Sequence, residues 1–198
     1  QRVRPKLVRA PSAPTVAGAP EAVAYEILAT PPASEGQVGH YIPWRLARLA
    51  FPTQKPHPDQ LVESVAMSSI LPPAPSYRPM LPPRAVAALS DAQLETIIYA
   101  GQAFARDLPG RYLPNTSGTM LSPNSAGHAY RQGYMVGDGT GVGKGQQIAG
   151  CIMDRWCRGQ RRAVWISKSS ALLEDARRDW AALGGLPIDV QPLDAFPF

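Results

Sequence analysis

Five glycines in nine residues, with a lysine set among them, restrict what the middle of this chain can become. Residues 133–150 read GYMVGDGTGVGKGQQIAG. A short apolar run, Tyr134-Met135-Val136, leads into Gly137-Asp138-Gly139-Thr140-Gly141-Val142-Gly143-Lys144-Gly145, and a helical pattern begins at Gln146. Glycine at alternate positions weakens the interior of a helix or a strand, but it admits positive φ. Successive backbone N–H groups can then converge on one concavity. A helix that starts directly after the loop adds its own unpaired N–H groups and the positive end of its dipole. Lys144 places a full positive charge beside them. The order of strand, glycine loop, lysine and helix is a cradle for an anion, with the β- and γ-phosphates of a nucleotide as the natural occupant.

The strict form of such a phosphate loop, or P-loop, is G-x-x-x-x-G-K-[ST]. Here its first glycine position holds Asp138 and its Ser/Thr position holds Gly145. The second departure bears on metal binding, because that hydroxyl ordinarily ligates Mg²⁺.

Composition narrows the remainder. The chain has 198 residues, among them 22 Pro and 2 Cys, and a formal net charge of +5. Most of the prolines precede Gln93, so the front of the chain is expected to be extended or looped. Residues 1–39, with Arg2, Arg4, Lys6 and Arg9, read as a disordered, basic, Pro- and Ala-rich linker. Residues 40–83 read as a proline-rich extension with short helices. One is expected within 40–51 and another over 59–71 with Asp59 as its cap, while residues 72–83 stay extended. The main domain is expected over residues 84–198. Cys151 and Cys157 fit neither a C-x-x-C nor a zinc spacing. They are expected as free thiols in a reducing compartment. His40, His57 and His128 are scattered, and no metal site is assigned to them. No apolar run is long enough for a bilayer, which leads to the expectation of a soluble, cytoplasmic protein without a membrane partner.

Within the main domain, residues 90–107 form an amphipathic helix with a capping box at Ser90 and Gln93. Residues 108–131 read as loop. Residues 133–137 form the strand that feeds the phosphate loop, and residues 144–156 the helix after it, burying Ile148, Ala149, Ile152 and Trp156. A second strand is expected over 162–167. A third helix capped by Ser169 or Ser170 runs to Leu183, and a third strand starts at 188–190. A β-loop-α-β-α-β succession gives parallel strands joined by right-handed crossovers, hence an α/β fold with its site at the carboxyl end of the first strand.

GDGTGVGKG, followed by QIAG and by RAVWISKSSALLEDARRDWAALG, resembles the ATPase domain of the strawberry notch family, and the upstream LSDAQLETIIYAGQ resembles the same family's segment before the loop. The resemblance implies a RecA-like, three-layer, helicase-like domain that uses ATP and Mg²⁺ and acts on nucleic acid, DNA in preference to RNA. It makes Lys144 the catalytic, phosphate-binding lysine. Asp138, Gly139, Thr140, Gly141, Val142, Gly143, Gly145 and Gln146 line the nucleotide. Gln93 falls where an adenine edge is read, although the capping box competes for the same amide. Ser167, Lys168, Ser169 and Ser170 fall where the nucleic-acid backbone is touched. With no serine or threonine at 145, Thr140, Asp138 or water is left to hold the metal. Gln146 stands where the family carries arginine. After Val190 no D-E-x-H strand end and no second RecA-like lobe follow, so the chain alone is expected to bind nucleotide weakly and to hydrolyse it poorly. The alternative is an inactive nucleotide-binding regulatory or adaptor module.

Overall fold

A computed structural model describes residues 18–33 and 36–195. In chain order its elements are β1 (Glu21–Ala22), β2 (Glu26–Ile27), β3 (Tyr41–Pro43), β4 (Leu49–Ala50), β5 (Val62–Ser64), α1 (Val65–Ser68), β6 (Met80–Leu81), α2 (Pro83–Ala88), α3 (Asp91–Phe104), β7 (Tyr112–Pro114), β8 (Leu121–Pro123), α4 (Lys144–Cys157) and α5 (Leu172–Ala182). Two 3-10 turns follow, at Pro187–Asp189 and Leu193–Ala195.

The three long helices carry the fold. α3 starts where its sequence says it should: Ser90 Oγ accepts from the Gln93 N–H, and Gln93 Oε1 accepts from the Ser90 N–H. Its Leu94, Ile97 and Ile98 are buried, and they meet Ala149 and Met153 of α4. The two helices pack closely at Gly150, where a Cβ would overlap Ile97 Cδ1. On the other side of α4, Trp156 meets Trp180 of α5 edge to face, with ring centroids 5.5 Å apart. Full burial of a Leu or Ile is worth about 1.5–3 kcal/mol, so this cluster is the main source of cohesion.

The front of the chain is part of that core. Among the described residues of the expected linker, β1 pairs with β6 and β2 with β4, both antiparallel. Val23 and Tyr25 are buried with Leu49, Phe51 and Leu81. Alternation of buried and exposed positions in 21–27 supplies the apolar surface that a disordered linker lacks. Arg2, Arg4, Lys6 and Arg9 lie outside the described residues.

A strap over residues 72–79 crosses both central helices in extended form. Gln102 Oε1 of α3 accepts from the Ser76 N–H at 2.7 Å and the Tyr77 N–H at 3.2 Å. Asp154 of α4, 1% exposed, accepts from Tyr77 Oη at 2.5 Å, from the Met80 N–H at 2.7 Å and from Arg158 Nε at 2.9 Å. A buried carboxylate is tolerated only when its oxygens are filled in this way.

Several expectations are overturned. Residues 40–51 form β3 and β4 rather than a helix, because Pro43 cannot continue a helical ladder while Ile42 and its neighbours pair with β5. The helix expected from Asp59 begins instead after Ser64, whose Oγ caps the Met67 N–H; the Asp59 N–H is taken by His57 Nδ1. Residues 108–131 hold the β7–β8 hairpin, closed by Asn115 Oδ1 accepting from the Thr119 and Met120 N–H groups. α5 has Ala171 at its cap with no side-chain bond, so neither Ser169 nor Ser170 caps it. Ile148 is 38% exposed, because α4 turns Met153 rather than Ile148 towards the core.

The expected parallel strands form no ladder among the described residues. The sheets among the described residues are four antiparallel pairs: β1–β6, β2–β4, β3–β5 and β7–β8. Residues 133–137 and 161–167 carry no ladder, and 188 falls in a 3-10 turn. A strand exists through its neighbour's hydrogen bonds, and neither segment finds one here. Met135, Val164 and Ile166 are 88%, 78% and 88% exposed. At 187–189, Pro187 removes a ladder donor. Asp189 Oδ2 closes the turn by accepting from Trp180 Nε1 and the Leu186 N–H.

Candidate phosphate-binding site

The glycine loop runs into α4, which begins at Lys144 with Gly143 as its cap. Gly141 and Gly143 have φ of 97° and 81°, the left-handed region that an L side chain resists. That backbone turns the loop over without using its donors. Among the described residues, the N–H groups of Gly139, Thr140, Gly141, Val142 and Gly143 donate to no other protein atom. The first-turn N–H groups of α4 add to them. Nothing lies within 4 Å of where a Cβ of Gly139 or Gly141 would be, so the loop's face is open.

Lys144 lies over this face. Its Nζ donates to the carbonyls of Asp138 at 2.9 Å and Gly139 at 2.8 Å. An ammonium resting on two neutral carbonyls keeps its charge unneutralised and has a third proton to offer. The residues therefore fit a phosphate chain: free amides, an adjacent cation and an open approach.

Two side chains from flanking helices stand against the loop and the first turn of α4, and both explain a glycine. From α3, Gln93 Nε2 donates to the Val142 carbonyl at 3.1 Å and to Gln146 Oε1 at 3.0 Å. A Cβ at Gly143 would overlap that Nε2. Gln93 thus caps α3 with one end of its amide and grips the loop with the other, so the cap and a second role coexist. From α5, the Asp179 carboxylate reaches the first turn of α4. A Cβ at Gly145 would overlap Asp179 Oδ2 and lie 3.0 Å from its Cγ. Sequence reasoning missed Asp179; the glycine standing where a hydroxyl was expected was the available signal.

Two further acids stand near the loop. Asp138 Oδ2 accepts from Gln147 Nε2 at 2.7 Å, and Gln147 is 0% exposed. That bond withdraws the Asp138 carboxylate from the mouth of the loop. Glu95, one turn beyond the cap of α3, is pushed up to about 8, first by burial and then by the charges of Glu63 and Asp138. It carries its proton at neutral pH and adds no charge against an arriving anion. Thr140 is exposed at the loop's crest. Ser167, Lys168, Ser169 and Ser170 are exposed in the turn before α5; no bond links them to the loop. Cys151 and Cys157 are free thiols, and burial pushes Cys151 up to about 12, which makes it an inert packing residue.

Open amides, a left-handed glycine turn and a lysine opening the next helix define this as a P-loop NTPase domain. The model of the P-loop containing NTP hydrolase pore-1 family matches residues 56–198. The chain is 39% identical over 145 residues to Protein FORGETTER 1 of Arabidopsis thaliana, which covers 72% of this chain and 10% of that protein. It is 37% identical over 146 residues to Protein strawberry notch of Drosophila melanogaster, with 73% and 8% covered. It is 35% identical over 144 residues to Protein strawberry notch homolog 1 of Homo sapiens, with 72% and 9% covered. The chain belongs to this family of P-loop proteins, the strawberry notch family, and spans about a tenth of the length of those relatives. No solved structure matches it. No helix among the described residues is long and apolar enough to cross a membrane.

Proposed function

We propose that the loop over residues 137–145 binds ATP, and that the chain is part of a helicase-like ATPase acting on nucleic acid, DNA in preference to RNA. The observation that carries the reading is the row of unpaired N–H groups from Gly139 to Gly143 beside the Lys144 ammonium. Lys144 exchanges the Asp138 and Gly139 carbonyls for β- and γ-phosphate oxygens, a trade of neutral for charged acceptors that favours binding. The N–H groups of the loop take the remaining oxygens, with Thr140 at the rim and Gly145 and Gln146 in the first turn of α4. Gln93 reads the adenine edge by releasing its bond to Gln146 while its carbonyl oxygen keeps the cap. Mg²⁺, when bound, spreads the phosphate charge and prepares the terminal phosphoryl group for transfer. Ser167, Lys168, Ser169 and Ser170 meet the nucleic-acid backbone, a reading supported by their exposure and by the chain's net charge of +5. The extended segments 133–137 and 161–167 take the strand positions of a RecA-like parallel sheet within a domain over 84–198, with 40–83 an extension laid across it. Their uncovered apolar side chains support that reading.

Equilibrium binding of a fluorescent ATP analogue to the full chain tests the site. Lys144→Ala is expected to weaken binding roughly 10- to 100-fold, the worth of the charge-assisted bonds removed. Equal affinity in the two proteins would overturn the assignment. Binding without phosphate release is expected of this chain under either reading; the tying of Asp138 to Gln147 suits a nucleotide-binding regulatory module.

A further inference from the structure

We propose that Asp179 supplies the protein oxygen for the divalent cation of a bound nucleotide, replacing the hydroxyl that Gly145 does not have. The inference rests on the reading of the loop as an ATP site. Gly145 follows Lys144 directly, where the strict P-loop pattern carries serine or threonine. The space into which such a side chain would grow is filled: a Cβ there would overlap Asp179 Oδ2 and lie 3.0 Å from its Cγ. Glycine at 145 and a carboxylate at 179 are therefore two halves of one arrangement.

The carboxylate is held in place with one oxygen free of protein donors among the described residues. Its side chain is 13% exposed. The next residue, Trp180, is fixed against Trp156 and donates from Nε1 to Asp189 Oδ2 at 2.9 Å. Asp179 Oδ1 accepts from Arg178 Nη2 at 3.3 Å, but Arg178 is largely in solvent and is shared with Asp175. Among the described residues Oδ2 accepts no hydrogen bond. Lys144 does not reach it, because its Nζ is turned to the Asp138 and Gly139 carbonyls.

A purely structural role explains only half of this. A carboxylate beside the first turn of α4 suits the positive end of that helix. It also stands at the edge of a cradle built for several negative charges, where it would repel them. A hard divalent cation between the carboxylate and the phosphates turns that repulsion into attraction, and oxygen is the donor Mg²⁺ takes. The other two protein candidates are less well placed, since Asp138 is tied to Gln147 and Thr140 is exposed at the crest of the loop.

The test measures affinity of the full chain for the fluorescent ATP analogue with EDTA and with Mg²⁺, and records the electron paramagnetic resonance spectrum of Mn²⁺ in the nucleotide complex. In the wild-type chain Mg²⁺ is expected to tighten binding about tenfold or more, one charge-assisted contact's worth. Asp179→Asn, close in shape, is expected to abolish that gain, to bind metal-free nucleotide a few-fold more tightly as repulsion is lifted, and to alter the Mn²⁺ spectrum. Gly145→Ser combined with Asp179→Ala gives a hydroxyl the space the carboxylate held, and is expected to restore the Mg²⁺ gain. Circular dichroism establishes that each variant is folded. A Mg²⁺ gain unchanged in Asp179→Asn would overturn the role of Asp179 and leave the ATP site standing; a double variant without a gain would overturn its equivalence to the missing hydroxyl. A wild-type chain that binds no nucleotide under either condition would overturn both.

Discussion

Glu95 shows how one side chain's surroundings set a property of the whole chain. Its carboxyl has an ordinary value of 4.5 and is pushed up to about 8 in the folded protein. As pH rises above about 4.5, the unfolded chain releases this proton while the folded chain keeps it. The folded state thus binds more protons in that window, and stability falls as pH rises until about 8. The urea midpoint of the wild-type chain is expected to drop between pH 5 and pH 8, and Glu95→Gln to remove most of that slope. Glu63 and Asp91, raised mainly by burial, leave a smaller residue of the same sign. A wild-type slope retained in the variant would show that Glu95 ionises freely. At this scale the loop itself was legible, because glycine content and a neighbouring lysine are local chemistry. Asp179 and Glu95 were not: their meaning comes from what they approach in space. Asp179 is 34 positions beyond Gly145, and no periodicity marks it.

Among the elements, α3 and α4 could be read from residues at their ends. The Ser90/Gln93 box and Gly143 start them, and Gly159 follows the second with φ of 86°. The two-residue strands of the front could not, since each is defined only by a partner 20 to 60 positions away, such as Glu21 opposite Leu81. The strap was legible as extended but not as anchored. Its main charged anchor is Asp154, and Asp154→Ala would leave Tyr77 Oη, the Met80 N–H and Arg158 Nε without their acceptor. Losing a buried, charged hub of this kind costs about 2–4 kcal/mol. Urea denaturation is expected to show that loss, with Asp154→Asn retaining part of it through its remaining oxygen. A loss below about 0.5 kcal/mol, the size of a surface contact, would mean that the strap is held by its other contacts, those to Gln102 among them.

For the whole molecule, cohesion is concentrated in the helices, while the segments on either side of α4 have no backbone partners among the described residues. Native-state hydrogen exchange is expected to divide accordingly. Amides of α3 and α4 exchange slowly, through opening of the core, and those of 133–137 and 161–167 exchange at close to the rate of free peptide. Strong protection in the latter pair would show that they ladder in solution. The parallel sheet expected from their apolar sequence was legible as hydrophobic pattern; pairing is a relation between segments, and the pattern alone does not contain it. Asp154 lies ten residues past Lys144 on one unbroken helix, about 15 Å along its axis. Tyr77 and Met80 hang from it. α4 is therefore a strut with the glycine loop at one end and a proline-rich band lashed to the other, so whatever braces the loop also steadies a stretch of chain about three turns away.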